Sequence, residues 1–426
     1  MNAMTDRTDT SISVEDFRLE ARAWIRANLE PRAEVALSGR VEIATSTPEE
    51  LAVSRALQRK LFDAGFAGIT FPVRYGGRGL TVLHERAFNE EAMGYQTPDF
   101  GVAGVVTFGA IAQSLLAHCT PEFLEQHIPA IHAGEEVWCQ FYSEPEAGSD
   151  LAGIRSRAVR DGDRWIISGS KIWSSGAYLS DWAMCLARTD WSVPKHRGLT
   201  WFAVPCDAKG VTIRQIRQIN GSAEFCEEFL DEVEVTDADV IGEVNQGWAV
   251  TQTMLVYERG AGEMGAATAE PRELAPDLVA LARRVGRLDD PVARQAIARA
   301  HINDYAQYHL GKRIAARLGA ASQPDPAVAA YGKLASGVLT PIRARLAMEV
   351  GGPAALAWAA GDRDGGRPAL DYLNGRTMSI AAGTNEMQRN GIGERVLGLP
   401  REPSFDTNKP FNEVLNNARN WQSKVG

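Results

Sequence analysis

The stretch at residues 140–150 reads QFYSEPEAGSD, and a second stretch, GSKIWSS, follows at residues 169–175. The first begins as a strand and delivers glycine and small hydroxyl residues to a loop. Because glycine lets the main chain come close, such a loop can present backbone N–H groups to an anion or to the edge of a heteroaromatic ring. The same residues suit an ordinary strand-to-loop turn equally well, and Trp173 alone suits a core position.

Around these two stretches, short apolar runs alternate with turns. The runs at 165–167, 199–204, 211–213 and 233–235 have the composition of strands. Asp161-Gly162-Asp163, which lies between two such runs, carries the Asp-Gly signal of a tight hairpin. The sequence therefore predicts a small antiparallel β-domain.

The segments on both sides of this domain have helical periodicity. Phe17, Ala21, Trp24 and Ile25 recur at three- and four-residue spacing, and the helical period returns after residues 247–248. We predict an α+β multidomain fold: an N-terminal helical domain (1–136), a middle antiparallel, barrel-like β-domain (137–245) and a C-terminal helical bundle (246–426). The stretch after Pro400 is predicted to be a loosely ordered tail or an interface arm.

Composition narrows the classes of function. The chain has 426 residues, 45% of them hydrophobic, so it can fill a substantial core, and its net charge of -9 argues against a general nucleic-acid binder. The five cysteines form no C-x-x-C pair and are expected to be reduced. The first twenty residues contain no apolar signal region, and no uninterrupted apolar run has membrane length. We therefore expect a cytoplasmic protein with no membrane span.

Several common motifs are absent or lack their context. The sequence has no H-E-x-x-H zinc motif, no G-x-S-x-G elbow and no Walker loop, and we expect no metal site. Residues 260–265, GAGEMG, match the spelling of a dinucleotide-binding motif. That motif requires a preceding strand, whereas here a helix is predicted, so a nicotinamide Rossmann fold is not supported.

Three separated motifs together resemble the acyl-CoA dehydrogenase family: residues 143–150, residues 169–173 and residues 383–389. The resemblance spans nearly the whole chain, and the family's helical, β, helical order is the one predicted above. It implies FAD-dependent α,β-dehydrogenation of an acyl-CoA thioester, with electrons passed to an electron-transfer flavoprotein. No nucleic acid is expected as a partner.

The resemblance also implies which residues bind FAD. In the β-domain these are Gln140, Tyr142, Ser143, Gly148, Ser149, Trp173 and Ser175. A neighbouring subunit would reach the same cofactor through Arg284, Gln295, Gly351 and Gly352, which implies a homo-oligomer, either a dimer or a homotetramer. Thr384 and Glu386 would reach the nucleotide part, although Glu386 also suits a solvated helix position.

The catalytic base is expected at an unusual position. Many family members carry a glutamate just before the last motif, where this chain has Ala382, and a minority carry it on a helix before an arginine, where this chain has Glu258-Arg259. On a helix, Thr251, Met254 and Glu258 share one face, so Glu258 is predicted to lie on an apolar side. The alternative explanation for such a carboxylate is a salt bridge with an arginine elsewhere in the fold.

A carboxylate with a pKa raised by desolvation suits removal of a weakly acidic thioester α-proton. The negative charge that then develops on the thioester oxygen needs hydrogen-bond donors. The resemblance assigns one of them to the backbone N–H at Ala382, and it assigns substrate contacts to Arg259 and Ser149.

Two other functions fit the same resemblance. One is an oxygen-using flavoenzyme of the same fold, such as a monooxygenase or a nitroalkane oxidase, and the other is one subunit of a heteromeric acyl-CoA dehydrogenase. A subunit without its own active site would lack both glutamates, whereas Glu258 is present. The acyl group cannot be derived from sequence, because the residues of such a pocket converge from several helices.

Overall fold

A computed structural model of the chain describes residues 12–32, 47–258, 271–319, 326–357, 366–401, 403–404 and 406–414. In its N-terminal part, Ser13 caps the first helix by accepting a hydrogen bond from the backbone N–H of Asp16, and Phe17, Ala21 and Ile25 face the core as predicted. The helices are α1 (Val14–Asn28), α2 (Pro48–Asp63), α3 (Val82–Ala92), α4 (Gly101–Gly104), α5 (Ala112–His118) and α6 (Pro121–Ala133).

A π-helical segment, Val105–Ile111, joins α4 to α5. Within it the Thr107 hydroxyl accepts a hydrogen bond from the backbone N–H of Trp138 (2.9 Å) and donates to the Trp138 carbonyl (2.8 Å). The buried Thr107 side chain is thus one link between the N-terminal helices and the first strand of the β-domain.

The continuous helical stretch Gly101–His118 bears on the expectation of no membrane span. Among the described residues it alone has the length and apolar composition to cross a membrane, and 39% of it is buried within the chain. The core helix of a soluble protein has the same properties, and Ile111 and Leu115 of this stretch are fully buried in the chain's own core.

The middle of the chain forms an eight-stranded sheet in the order β6-β7-β3-β2-β4-β5-β8, with β1 paired to β4. The predicted hairpin at 161–163 connects β2 to β3, and Gly162 adopts the left-handed conformation that the turn requires (φ 66°). The strands are β1 (Trp138–Phe141), β2 (Arg157–Asp161), β3 (Arg164–Ser175), β4 (Trp182–Arg188), β5 (Leu199–Pro205), β6 (Val211–Ile216), β7 (Phe225–Thr236) and β8 (Val240–Ile241).

The sheet is not antiparallel throughout, which corrects one detail of the prediction. β1 and β2 both pair with β4 in parallel, whereas the other strand pairs are antiparallel. β1 enters from the helical domain and not from a hairpin, so its direction is not set by a turn.

The chain returns to helices at Gly247, as predicted. α8, α9 and α10 share a core that includes Leu281, Ile297 and Leu346. A separate core joins the N-terminal helices, the sheet and the first C-terminal helix, through Leu115, Trp201 and Met254. The α+β architecture is therefore confirmed. These helices are α7 (Gly247–Val256), α8 (Pro276–Arg284), α9 (Pro291–Gly319), α10 (Pro326–Gly351), α11 (Arg367–Asn374) and α12 (Asn385–Arg395).

Candidate active site

The stretches at residues 140–150 and 169–175 lie side by side. The backbone N–H of Ile172 on β3 donates to the carbonyl of Ser143, just after β1, at an N–O distance of 3.0 Å. The turn that follows is closed by reciprocal backbone hydrogen bonds between Glu144 and Ala147 (3.2 and 3.0 Å). Gly148, Ser149 and Asp150 come next and are exposed. β1 and β3 thus present the small-residue loop at one end of the sheet.

A buried ion pair holds the start of this loop. Lys171 is only 1% exposed, and its Nζ donates to Glu144 Oε1 (2.9 Å) and to the Tyr142 carbonyl (3.2 Å). Glu144 also accepts from the backbone N–H groups of Arg155 (2.6 Å) and Ser156 (2.8 Å). Burial alone would raise the pKa of the Glu144 carboxyl, but Lys171 and these donors outweigh it and hold the pKa below its usual range.

Trp173 has an unfavourable backbone conformation for its size. It sits at a β-bulge with φ 68°, a left-handed conformation that bulky residues rarely adopt, and 56% of the residue is exposed. Such strain is concentrated at functional sites. FAD needs a cover for its rings and close backbone donors for its phosphates. The outward-facing indole of Trp173 fits the first demand, and the exposed glycine-serine loop at 148–150 fits the second.

Glu228, on β7, lies directly behind this bulge. It is fully buried and lies opposite Lys171 in the register of β3 and β7. Its Oε2 accepts a hydrogen bond from the Ser174 hydroxyl (2.8 Å). Glu228 Oε1 is also buried, and no hydrogen-bond partner for it lies among the described residues. Burial raises the pKa of Glu228 to about 7, against the opposing effects of Ser174 and Lys171.

α7 is anchored to the same end of the sheet. Gln140 Nε2 lies 3.1 Å from Met254 Sδ, and the Trp201 indole donates to Thr251 Oγ1 (3.1 Å). The Trp201 ring in turn packs 5.0 Å from the ring of Tyr142. The helix that leads to Glu258 is therefore fixed against residues expected to line FAD.

The predicted burial of Glu258 is wrong for the single chain. Thr251 and Met254 are buried, as their spacing indicated, but Glu258 is exposed. The reason is local geometry: the regular helix ends at Val256, and Glu258 follows in a π-helical turn that departs from the 3.6-residue period. Arg259 and the 260–265 glycine motif lie outside the described residues.

The positions expected to serve a neighbouring subunit surround the junction of α8, α9 and α10. Arg284 ends α8 and Gln295 lies in the first turns of α9, and both are exposed. Arg287 between them donates to the Glu349 carbonyl (2.7 Å), close to Gly351 and Gly352 at the end of α10. Sequence positions far apart are thus brought to one end of the C-terminal bundle.

The last motif forms the start of α12. Thr384 caps this helix by accepting from the backbone N–H of Met387 (3.2 Å). Ala382 has a left-handed backbone (φ 52°), and Gln388 Nε2 donates to its carbonyl (3.3 Å). Glu386 is exposed and accepts from Arg389 (3.2 Å), the arrangement of a solvated helix residue.

Lys171, Glu144 and Glu228 have no role that the sequence motifs indicate. Strand alternation carries a signal for them: Trp165, Ile167 and Lys171 fall on one inward face of β3, and Cys226, Glu228 and Leu230 on one inward face of β7. A charged residue at an inward position is costly unless it is paired, which marks it for attention. Within the described ranges, no group of three or more metal-ligating side chains is arranged to hold an ion.

Comparison with known proteins agrees with this architecture domain by domain. The family models for the N-terminal, middle and C-terminal domains of acyl-CoA dehydrogenases match residues 13–135, 139–233 and 245–397. Acyl-CoA dehydrogenase IpdE1 of Mycobacterium tuberculosis is 39% identical over 397 residues, which cover 91% of this chain and 98% of that protein.

Two solved structures are also similar. The Tcur3481-Tcur3483 steroid ACAD is 27% identical with a TM-score of 0.73, over 91% of this chain and 98% of that one. The ChsE4-ChsE5 complex from Mycobacterium tuberculosis is 28% identical with a TM-score of 0.69, and the match covers 91% of this chain and 98% of that one. With all three domains matched in order, the chain belongs to the acyl-CoA dehydrogenase family of FAD-dependent oxidoreductases.

Proposed function

We propose that this enzyme converts an acyl-CoA thioester to the trans-2-enoyl-CoA and passes the electrons to an electron-transfer flavoprotein. The observation that carries the proposal is the strained, outward-facing Trp173, which follows Ile172, the residue that bonds to Ser143 ahead of the exposed loop at 148–150. An aromatic residue in a left-handed bulge persists only where the surrounding structure enforces it. Here the buried Lys171–Glu144 pair and the Ser174–Glu228 hydrogen bond supply that support.

When bound, FAD supplies the two-electron acceptor for the oxidation. The chain's part would be to hold and orient FAD: Trp173 and Ser175 would cover its ring system, and the backbone of the 148–149 loop would approach its phosphates. Gln140 is positioned for this task by its contact with Met254. The remaining lining residues are Tyr142 and Ser143 from the first motif, with Thr384 and Glu386 at the nucleotide end.

In the proposed mechanism Glu258 accepts the proton from Cα of the thioester. The backbone N–H of Ala382 donates to the thioester oxygen, where negative charge develops. Ala382, whose backbone is left-handed, lies in the turn just before α12. Arg259 and Ser149 hold the coenzyme A thioester.

The proposed site is shared between subunits. Arg284, Gln295, Gly351 and Gly352 would reach the FAD of a neighbouring copy, and we infer a cytoplasmic homo-oligomer, a dimer or tetramer. The heteromeric alternative is supported by the likeness to the ChsE4-ChsE5 complex. The likeness to a steroid ACAD supports steroid-derived acyl groups as candidate substrates.

The test is anaerobic mixing of the purified FAD-loaded chain with straight, branched and steroid-derived acyl-CoA thioesters. We expect at least one to bleach the visible flavin absorbance and yield the enoyl-CoA by mass spectrometry. No bleaching by any thioester, or no FAD retained after reconstitution, would contradict the proposal. Rapid reoxidation by air, faster than by an electron-transfer flavoprotein, would instead favour an oxygen-using flavoenzyme.

A further inference from the structure

The segment at residues 406–414 follows α12, contacts the β-domain and becomes helical at Phe411. Pro410 forms an antiparallel bridge with Pro194. The backbone N–H of Phe411 donates to the Val193 carbonyl, and that of Asn412 donates to the Trp191 carbonyl, both at an N–O distance of 3.0 Å. The expectation of a loosely ordered tail after Pro400 is therefore wrong for these residues. They add a short strand-like pairing to the loop between β4 and β5.

Asp406 reaches the exposed loop through one buried lysine. Lys195 Nζ lies 2.6 Å from Asp406 Oδ2 and donates to both oxygens of Asp150 (2.9 and 3.0 Å). Asp150, whose side chain is 60% exposed, directly follows Ser149. An isolated surface ion pair holds little, but a buried ammonium between two carboxylates fixes all three groups. Its hydrogen bond to Lys195 holds the pKa of Asp406 below its usual range.

Phe411 reaches the other side of the same loop. It is only 3% exposed, and its ring centroid lies 3.7 Å from the Arg188 guanidinium carbon. Arg188 is fully buried and donates to the Ala152 and Ile154 carbonyls, just beyond Asp150. A cation stacked on an aromatic face is held in plane and in position. The segment therefore contacts the groups that hold the loop on both sides.

We propose that residues 406–414 form a brace that keeps the loop at 148–150 in its FAD-binding conformation, with Asp406 and Phe411 as positioning residues. The inference rests on the proposed function in one respect, namely that Gly148 and Ser149 bind FAD. Gly148, Ser149 and Asp150 are all exposed, so the chain's core does not hold them. Order in this loop must come from contacts such as those of Lys195 and Arg188.

The experiment uses the full chain with Asp406→Asn, which preserves shape on a partly exposed side chain, and with Phe411→Ala. Asp406→Glu keeps the charge, and Asn412→Ala changes an exposed residue of the same segment. Two quantities are measured: the FAD dissociation constant by fluorescence, at a temperature where every variant is folded, and hydrogen exchange of peptides covering 148–154 by mass spectrometry.

We expect Asp406→Asn and Phe411→Ala to weaken FAD binding by about 5- to 100-fold and to speed exchange in 148–154. Asp406→Glu should recover most of the affinity, and Asn412→Ala should behave as wild type. Unchanged exchange in Asp406→Asn would overturn the brace, as would faster exchange with unchanged FAD affinity. A wild-type chain that binds no FAD would overturn the proposed function together with the cofactor role of the brace.

Discussion

At the scale of the residue, the proposed chemistry depends on Glu258, because Ala382 has no carboxylate that could act as the base at the other position. Glu258→Gln keeps the shape of the side chain and removes its capacity to accept a proton. General-base catalysis contributes about a hundredfold to ten-thousandfold, so flavin reduction by a good acyl-CoA should slow by that order. Stopped-flow absorbance measures the rate, and thioester binding should persist.

The matched control combines Glu258→Gln with Ala382→Glu. Position 382 already carries a Cβ on its left-handed backbone, so a longer side chain adds little further backbone strain. Partial recovery of the rate is expected if both positions flank the same Cα. Near-normal reduction by Glu258→Gln alone, in protein with intact FAD, would mean that the base lies elsewhere.

The raised pKa of Glu228 predicts how the stability of the fold depends on pH. Its folded-state pKa is about 7, above the ordinary value of 4.5, so the folded protein holds a proton that the unfolded chain has released between these values. Stability should therefore fall as pH rises through this window and level off above it. The Glu228→Gln variant replaces the carboxyl with an amide. It should raise the free energy of unfolding by up to about 3 kcal/mol at about pH 8 and change it little at about pH 5.

Glu232→Gln is the control for this change, because Glu232 lies on the same strand, β7, but is exposed. Calorimetric melting curves of both variants across the pH range make the comparison. Lys171 is the charged group that faces Glu228 from β3, and both variants leave it in place. If both variants changed the pH dependence of stability in the same way, or if Glu228→Gln did not change it, Glu228 would not titrate near neutrality.

At the scale of the element, β3 is held to the loop after β1 by Lys171. Lys171→Met keeps the apolar stem but leaves Glu144 buried with two backbone donors and no countercharge. Breaking one half of a buried pair costs about 3–5 kcal/mol, so the urea midpoint should fall and FAD should be retained less well. Lys209→Met, at an exposed lysine of the same domain, should leave both unchanged. An unchanged midpoint in Lys171→Met would contradict the structural role of the pair.

The elements themselves were largely predictable, because helices and strands have local periods. The hairpin at 161–163, the strand runs and the return of helices at Gly247 follow from spacing alone. The contact between Lys195 and Asp406 spans 211 positions and has no local signal. The exposure of Glu258 was missed for a related reason, since a π-helical turn changes the period without a marked change in composition.

At the scale of the whole molecule, the exposed Arg284 at the end of α8 predicts that assembly and cofactor retention are linked. Arg284→Ala should weaken FAD retention by more than it lowers the thermal stability of the apoprotein. Light scattering with absorbance detection reports mass and flavin content together. Arg283→Ala, at the adjacent exposed arginine of α8, is the matched control. A stable monomer with full FAD occupancy would contradict a shared site.

Thr107 has a consequence for how the protein behaves in a crowded solution. β1 lies off the main path of the sheet, and a strand with unpaired N–H and C=O groups is a template for a strand of another molecule. The Thr107 hydroxyl accepts from the Trp138 N–H and shares its one proton between the carbonyls of Trp138 and Ala103. The π-helical segment that delivers this hydroxyl therefore covers β1 at Trp138, a position where a strand of another molecule could otherwise pair.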